Sequence, residues 1–231
     1  MIICLANIKI KINNRFDFIK KLCRDYLCEG EPDFTVEVTD DELRIERELS
    51  GEEYSDGYIE SVCIYRKIGY RLPEFDAFIL HSAAIEVDKK AYLVLAKSGV
   101  GKTTHICLLK QLLGHKMKVI NGDKPIVRFI DSKPVVFGTA WQGKENLGEN
   151  RCAEISSLLF LKRGDTPEIT PISQNEAALL LMRQILIPKD EQTATKALSL
   201  ADRLLKTVKL YSLSATPEIS SAEVSVTVIG E

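Results

Sequence analysis

The sequence predicts an α/β fold: a mixed sheet carrying a phosphate-binding loop over residues 73–231, preceded by a small α+β unit over residues 1–72. Three observations predict it. An apolar run at 91–96 leads straight into a glycine-rich loop and then a helical pattern. Short apolar strands and longer amphipathic helices alternate after residue 73. Before residue 73 the chain is richer in Asp and Glu and carries no chemical motif.

The elements follow in order. Residues 2–12 alternate as one strand, and 16–27 read as a short amphipathic helix. Residues 34–38 and 43–48 read as a hairpin around a turn at 39–42. A second helix spans about 56–70 and ends before Pro73, because the residue ahead of a proline is pushed out of helical backbone. Residues 78–87 read as a strand, 88–90 as a tight turn and 91–96 as a strongly apolar strand. The helix after the loop spans about 102–113, with Gly114 as its stop. Residues 118–121 form the next strand, ending at Gly122-Asp123. Residues 126–130 and 135–138 make a hairpin around 131–134. Residues 139–153 are a polar loop holding the only tryptophan, Trp141. A strand at 157–161, helices at about 175–187 and 190–208, and a late strand at 210–213 complete the pattern.

The loop itself carries the chemistry. Ala96, Lys97, Ser98, Gly99, Val100, Gly101, Lys102 and Thr103 fit the Walker A pattern, with alanine in place of the first glycine. Gly99 and Gly101 permit backbone conformations closed to other residues and let the chain approach phosphate. Successive N–H groups then face one concavity, and the helix beginning near Lys102 adds its positive end. Lys102 suits the β- and γ-phosphates, the Thr103 hydroxyl suits Mg²⁺, and Thr104 extends the binding segment into the helix. The expected ligands are ATP and Mg²⁺.

An aspartate ends the very next strand. Asp123 lies 21 positions past Lys102, and a strand–loop–helix–strand unit returns both strand ends to one sheet edge. Asp123 is therefore expected to face the loop, as a metal ligand or as a proton acceptor. His81, in the apolar segment ahead of the loop strand, is the third catalytic candidate; His105 and His115 are weaker ones.

Composition narrows the classes. The formal net charge is −2, with Lys and Arg spread along the chain. No basic stripe marks a nucleic-acid surface. Six cysteines contain no CxxC pair, and with three histidines they suggest reduced thiols rather than a zinc site. No apolar stretch approaches the roughly 20 residues of a membrane helix, and no cleavable leader is recognisable. The expected location is the cytoplasm, with no membrane or nucleic-acid partner.

His81 with the apolar run behind it, the segment Ser98–Thr104 and the pair Gly122-Asp123 together resemble the C-terminal domain of HPr kinase/phosphorylase. They are also similar to the nucleotide-binding core of ATP-dependent phosphoenolpyruvate carboxykinase. The resemblance covers roughly residues 78–187. It implies an HPr-kinase-like fold and four roles: His81 as the active-site histidine before the loop, Lys102 on phosphate, Thr103 on Mg²⁺ and Asp123 as base toward an acceptor hydroxyl. It also implies self-association into a homo-oligomer. The chain departs from that pattern in carrying Asp123-Lys124 where the kinase has two aspartates. The second metal-binding glutamate has only Glu145 and Glu149 as candidates, and the kinase's N-terminal domain is not recognisable in 1–72.

The function these readings imply is phosphoryl transfer from ATP to a hydroxyl on a protein, a peptide or a small molecule. Small proteins of this resemblance also occur beside peptide-modification genes, which adds a peptide serine or threonine as acceptor. Trp141, Lys144 and Arg151 are expected to shape the acceptor side. The alternatives are a carboxykinase-like or NTP-hydrolysing enzyme, and a nucleotide-sensing accessory protein without turnover.

Overall fold

The computed structural model describes residues 1–50 and 53–230. The chain opens with a hairpin, β1 (Ile2–Leu5) against β2 (Ile8–Asn13). One strand was expected over 2–12. The chain instead reverses at Ala6 and Asn7, which have φ of 50° and 59°, the paired left-handed geometry of a two-residue hairpin turn. The burial pattern records the reversal as a change of phase: Ile3 and Leu5 are buried before the turn, and Ile8, Ile10 and Ile12 after it.

Helix α1 (Asp17–Leu22) gives way to a 3₁₀ turn at Arg24–Tyr26, and β3 (Phe34–Glu37) joins β2 in parallel. The expected strand at 43–48 does not form. Those residues lie in α2 (Asp40–Ser50). Thr39 Oγ accepts from the Glu42 amide at 3.3 Å while the Glu42 carboxylate accepts from the Thr39 amide at 2.8 Å. This reciprocal cap, with three acids in the first turn, nucleates a helix. Glu46 is thereby buried against α3 (Asp56–Arg71), where Arg66 grips it with two nitrogens.

The second sheet holds nine strands among the described residues. Its elements are β4 (Ala77–Ile79), β5 (Ala83–Val87), β6 (Lys90–Leu95), α4 (Lys102–Leu113), β7 (Met117–Asn121), β8 (Ile126–Ile130) and β9 (Lys133–Phe137). They continue with β10 (Cys152–Arg163), β11 (Glu168–Pro171), α5 (Gln174–Leu181), α6 (Glu191–Thr207), β12 (Lys209–Ala215) and α7 (Ile219–Val226). The fold is a mixed α/β sheet with helices on both faces, beside a small three-stranded unit. The segment expected as one strand at 78–87 is two: β4 pairs with β8, whereas β5 lies between β6 and β7. The chain must cross from one part of the sheet to another at Leu80–Ser82, and that crossing places His81. α5 ends at Leu181, short of the expected 187, because the following residues turn back to bridge Leu80 to Ile185. β11 and α7 were not expected.

Strand direction positions everything that follows. β6, β10 and β12 are mutually parallel, and β7 runs parallel to β6 across the antiparallel β5. The carboxyl ends of four strands and the amino end of β5 therefore share one edge. β6 is buried along nearly its whole length because both its faces are covered. Tyr92 and Val94 pack with Ile106 and Leu109 of α4, while Leu93 and Leu95 pack with Leu181 and Leu204 of α5 and α6.

Candidate active site

The loop between β6 and α4 is built around two glycines with positive φ, Gly99 at 77° and Gly101 at 125°. A Cβ placed on either would meet nothing within 4 Å, so the side they face is open space. Val100 donates its amide to Lys97 O at 3.2 Å and closes the turn. Gly101 caps α4 without a side-chain bond, and no acid occupies the first turn. The first amides of α4 thus lack intrahelical acceptors and carry the helix's positive end toward the cavity.

Lys102 points into the same cavity with its side chain only 11% exposed. Its Nζ is shielded from solvent and makes no hydrogen bond. Asp123 Oδ1 stands 3.6 Å away, beyond hydrogen-bonding distance. Burial lowers the Lys102 pKa, and the Asp123 charge only partly opposes that. A buried ammonium with one ion-pair contact and no hydrogen bond is incompletely satisfied, and its location beneath open amides fits an anion.

Asp123 sits where the β7 strand end was expected to put it. Burial of its carboxyl disfavours ionisation, but the His81 hydrogen bond and the charges of Lys124 and Lys102 outweigh that and hold it well below the usual carboxylate range. The distances are 3.1 Å to His81 Nε2, 3.2 Å from Oδ2 to Lys124 Nζ and the 3.6 Å to Lys102. His81 lies in the crossing between β4 and β5, not inside a strand. Its amide donates to Gln184 O at 2.7 Å, and its ring spans Gln184 Oε1 at 2.9 Å and Asp123 Oδ1.

Asn121 organises this corner. It is fully buried; its Oδ1 accepts from the amides of Asp123 at 2.9 Å and Lys124 at 2.7 Å. Its Nδ2 donates to Thr139 Oγ1 at 3.0 Å and to the carbonyls of Thr139 and Trp141. One side chain therefore fixes both the Asp123 turn and the loop that faces it. That loop returns to β7 through Gly122 N to Leu147 O at 2.7 Å and Glu149 N to Ile120 O at 3.2 Å. Gly143 sits so close that a Cβ would stand 3.0 Å from Asp123 Cβ.

His81, Gly99, Gly101, Lys102 and Asp123 line a cavity of about 490 Å³, together with Ser98, Thr103, Thr104, Gln142, Lys144 and Glu145. Ala96 is buried at the end of β6. Trp141 does not offer a surface to this cavity, contrary to expectation. It is buried, its indole N–H donates to Ser61 O at 3.1 Å, and its ring packs on Tyr65 of α3. Arg151 is also turned away, onto Glu86 at 2.9 Å and Glu149 at 3.0 Å, so only Glu145 of the two glutamate candidates lines the cavity. His105 is buried and shares a 3.0 Å hydrogen bond with Ser225 of α7. His115 is exposed at the far end of α4.

Among the described residues no group of His, Cys, Asp or Glu forms a ready-made metal cluster. Thr103 and Asp123 offer two oxygens near the open amides, which suits Mg²⁺, an ion that completes its shell with phosphate and water. No described helix is long and apolar enough to cross a membrane.

Sequence reasoning missed Asn121, Gln184 and Arg163. The first had a signal, since an asparagine two residues ahead of a turn amide is a standard Asx arrangement. Gln184 lies 103 residues from His81, and no local pattern could join them.

No protein-family model matches the sequence, and no curated protein matches it. Among solved structures the fold is similar to that of the Hpr(Ser) kinase/phosphatase from Coxiella burnetii, with 10% identity and a TM-score of 0.38. The similarity covers 65% of this chain and 87% of that one.

Proposed function

We propose that the chain binds ATP at residues 96–104 and transfers its γ-phosphoryl group to a hydroxyl acceptor. The observation that carries this reading is the shielded ammonium of Lys102, which makes no hydrogen bond, beneath the open amides of the loop, with Asp123 3.6 Å away. The amides and Lys102 hold the β- and γ-phosphates, and His81, bridged to Gln184, keeps the Asp123 carboxylate in one orientation. Thr103 would hold Mg²⁺, which would neutralise charge developing on the phosphates, and Asp123 takes the other of its two expected roles, the proton acceptor.

The acceptor oxygen bonds to the γ-phosphorus as the bond from that phosphorus to the bridging β-oxygen breaks, and ADP leaves with the electron pair. The hydroxyl proton passes toward Asp123. A carboxylate held by two lysines and a histidine hydrogen bond is a weak base. Drawing Lys102 onto phosphate removes one of those two lysine charges and raises the basicity of Asp123 as the substrate arrives.

Calorimetry and labelled-ATP transfer to a panel of hydroxyl compounds and peptides test this. The wild type should bind Mg·ATP. Lys102→Ala should weaken binding at least about 100-fold, roughly 2.7 kcal/mol. Asp123→Asn should still bind nucleotide while losing transfer. No heat of ATP binding by the wild type would end the proposal. Tight binding without phosphorylation of any acceptor would favour a nucleotide-sensing accessory protein.

A further inference from the structure

Arg163 is the last residue of β10, which runs parallel to β6 with Phe160 opposite Leu95. It therefore leaves the sheet beside the point where β6 enters the loop. Its other flank pairs with Ala215 of β12. The next residue is Gly164, where a Cβ would stand 1.8 Å from Ser214 Oγ. A side chain at this position would have to displace the Ser214 hydroxyl, and the Gly164 amide donates to Ala215 O at 3.2 Å. The backbone that presents Arg163 is thus fixed from both sides.

The side chain reaches across to the loop. Nη2 donates to Gly99 O at 2.6 Å and Nε to Val100 O at 3.1 Å. Among the described residues Arg163 makes no ion pair; its guanidinium is committed to these carbonyls. In a trans peptide the C=O and N–H point in opposite directions. Holding Val100 O outward therefore aims the Gly101 amide inward. Holding Gly99 O fixes the Val100 amide in the opposite direction, where it closes the turn onto Lys97 O. Both peptide units adjoin glycines with positive φ, where the backbone has the least side-chain restraint of its own. A charge-assisted fork on two carbonyls supplies the missing order.

We infer that Arg163 is a positioning residue of the phosphate loop, gripping its outer carbonyls so that the turn stays closed and the Gly101 amide stays aimed toward a diphosphate group. This rests on the reading of the loop as a polyphosphate site. Arg163 does not itself touch the nucleotide, so its effect should follow the β-phosphate, which the amides hold, and not the γ-phosphate alone.

The test is calorimetry of Mg·ATP, Mg·ADP and AMP with the wild type, Arg163→Ala and Arg163→Lys. Arg163→Ala should weaken ATP and ADP by the same factor, about tenfold, and leave AMP unchanged. Arg163→Lys, a single point charge without the fork, should recover only part of the loss. The melting temperature without nucleotide should stay within about 2 °C of wild type, because the side chain is exposed. Unchanged ADP affinity in Arg163→Ala would overturn the inference, whether ATP binding survives or is lost by itself. An equal loss for AMP would also overturn it, pointing to general damage. A wild type that binds none of the three would remove the polyphosphate reading, and this inference with it.

Discussion

His105 lies one turn beyond Lys102, 2% exposed, with Nε2 on Ser225 and no partner at Nδ1. Burial pushes its pKa from 6.5 down to about 4. The unfolded chain takes up this proton near pH 6.5, whereas the folded protein resists until about pH 4. The neutral ring therefore favours folding fully above pH 6.5, and that contribution is lost progressively as pH falls toward 4. Denaturant unfolding between pH 7 and 4.5 should show wild type losing about 2–3 kcal/mol more stability than His105→Gln. Parallel pH slopes for the two proteins would contradict this. At this scale the sequence was most informative about groups close in the chain. Lys102 and Asp123 are joined by one strand–helix–strand unit, so their meeting could be foreseen. His81 was named from its place in the apolar segment ahead of the loop, with its role supplied by the resemblance, and lies in the same corner; the crossing that sets its ring was hidden, because Leu80 and Ser82 look like strand residues and are buried like them.

Elements were legible where one physical signal dominated and misread where two competed. α4 has the expected bounds because a glycine-rich loop and Gly114 punctuate it. α2 was taken for a strand because Leu43 and Ile45 alternate, yet Ile45 is 47% exposed and the Thr39–Glu42 cap prevails. The loop after β9 is the larger surprise. This polar segment was expected to present Trp141 and Arg151 to an acceptor, but Asn121 and Trp141 anchor it from both sides. Trp141 also ties it to α3, and Lys124, the neighbour of Asp123, lies 5.6 Å over the Tyr65 ring of that helix. The N-terminal unit thus braces the wall opposite the phosphate loop. Trp141→Phe keeps an aromatic side chain but removes the indole N–H bonded to Ser61 O and part of the ring volume, at a cost of at least about 1 kcal/mol. Hydrogen exchange should then speed up at the amides of Gly122 and Glu149, which close this loop onto β7, and stay as in wild type within α4. Unaltered exchange at those two amides would mean that the brace does not order the loop.

Across the whole molecule, the sheet edge that gathers the site is only one of two organising features. The other is the core beneath the three-stranded unit. Ile64, Ile68 and Leu72 of that unit share one buried cluster with Ile79, Ile126, Phe137 and Trp141 of the larger sheet. Arg128 of β8 adds hydrogen bonds to Ala6 O at 2.6 Å and Phe75 O at 3.1 Å, and Phe34 stacks on Phe75 at 5.6 Å. Composition changes near residue 72, which marks two sheets in the sequence, but composition does not reveal where a hydrophobic core is shared. Removing residues 1–72 would expose one side of β4, β8 and β9 to water, with about 1.5–3 kcal/mol lost for each large side chain uncovered. That sum rivals the whole stability of a typical domain. The full chain should therefore unfold in a single cooperative transition by both circular dichroism and Trp141 fluorescence. The fragment 73–231 should be aggregated or lack a cooperative melt. A soluble fragment that melts cooperatively and binds Mg·ATP as the full chain does would show that the two sheets are independent, and that the brace on the active-site loop is dispensable for holding nucleotide.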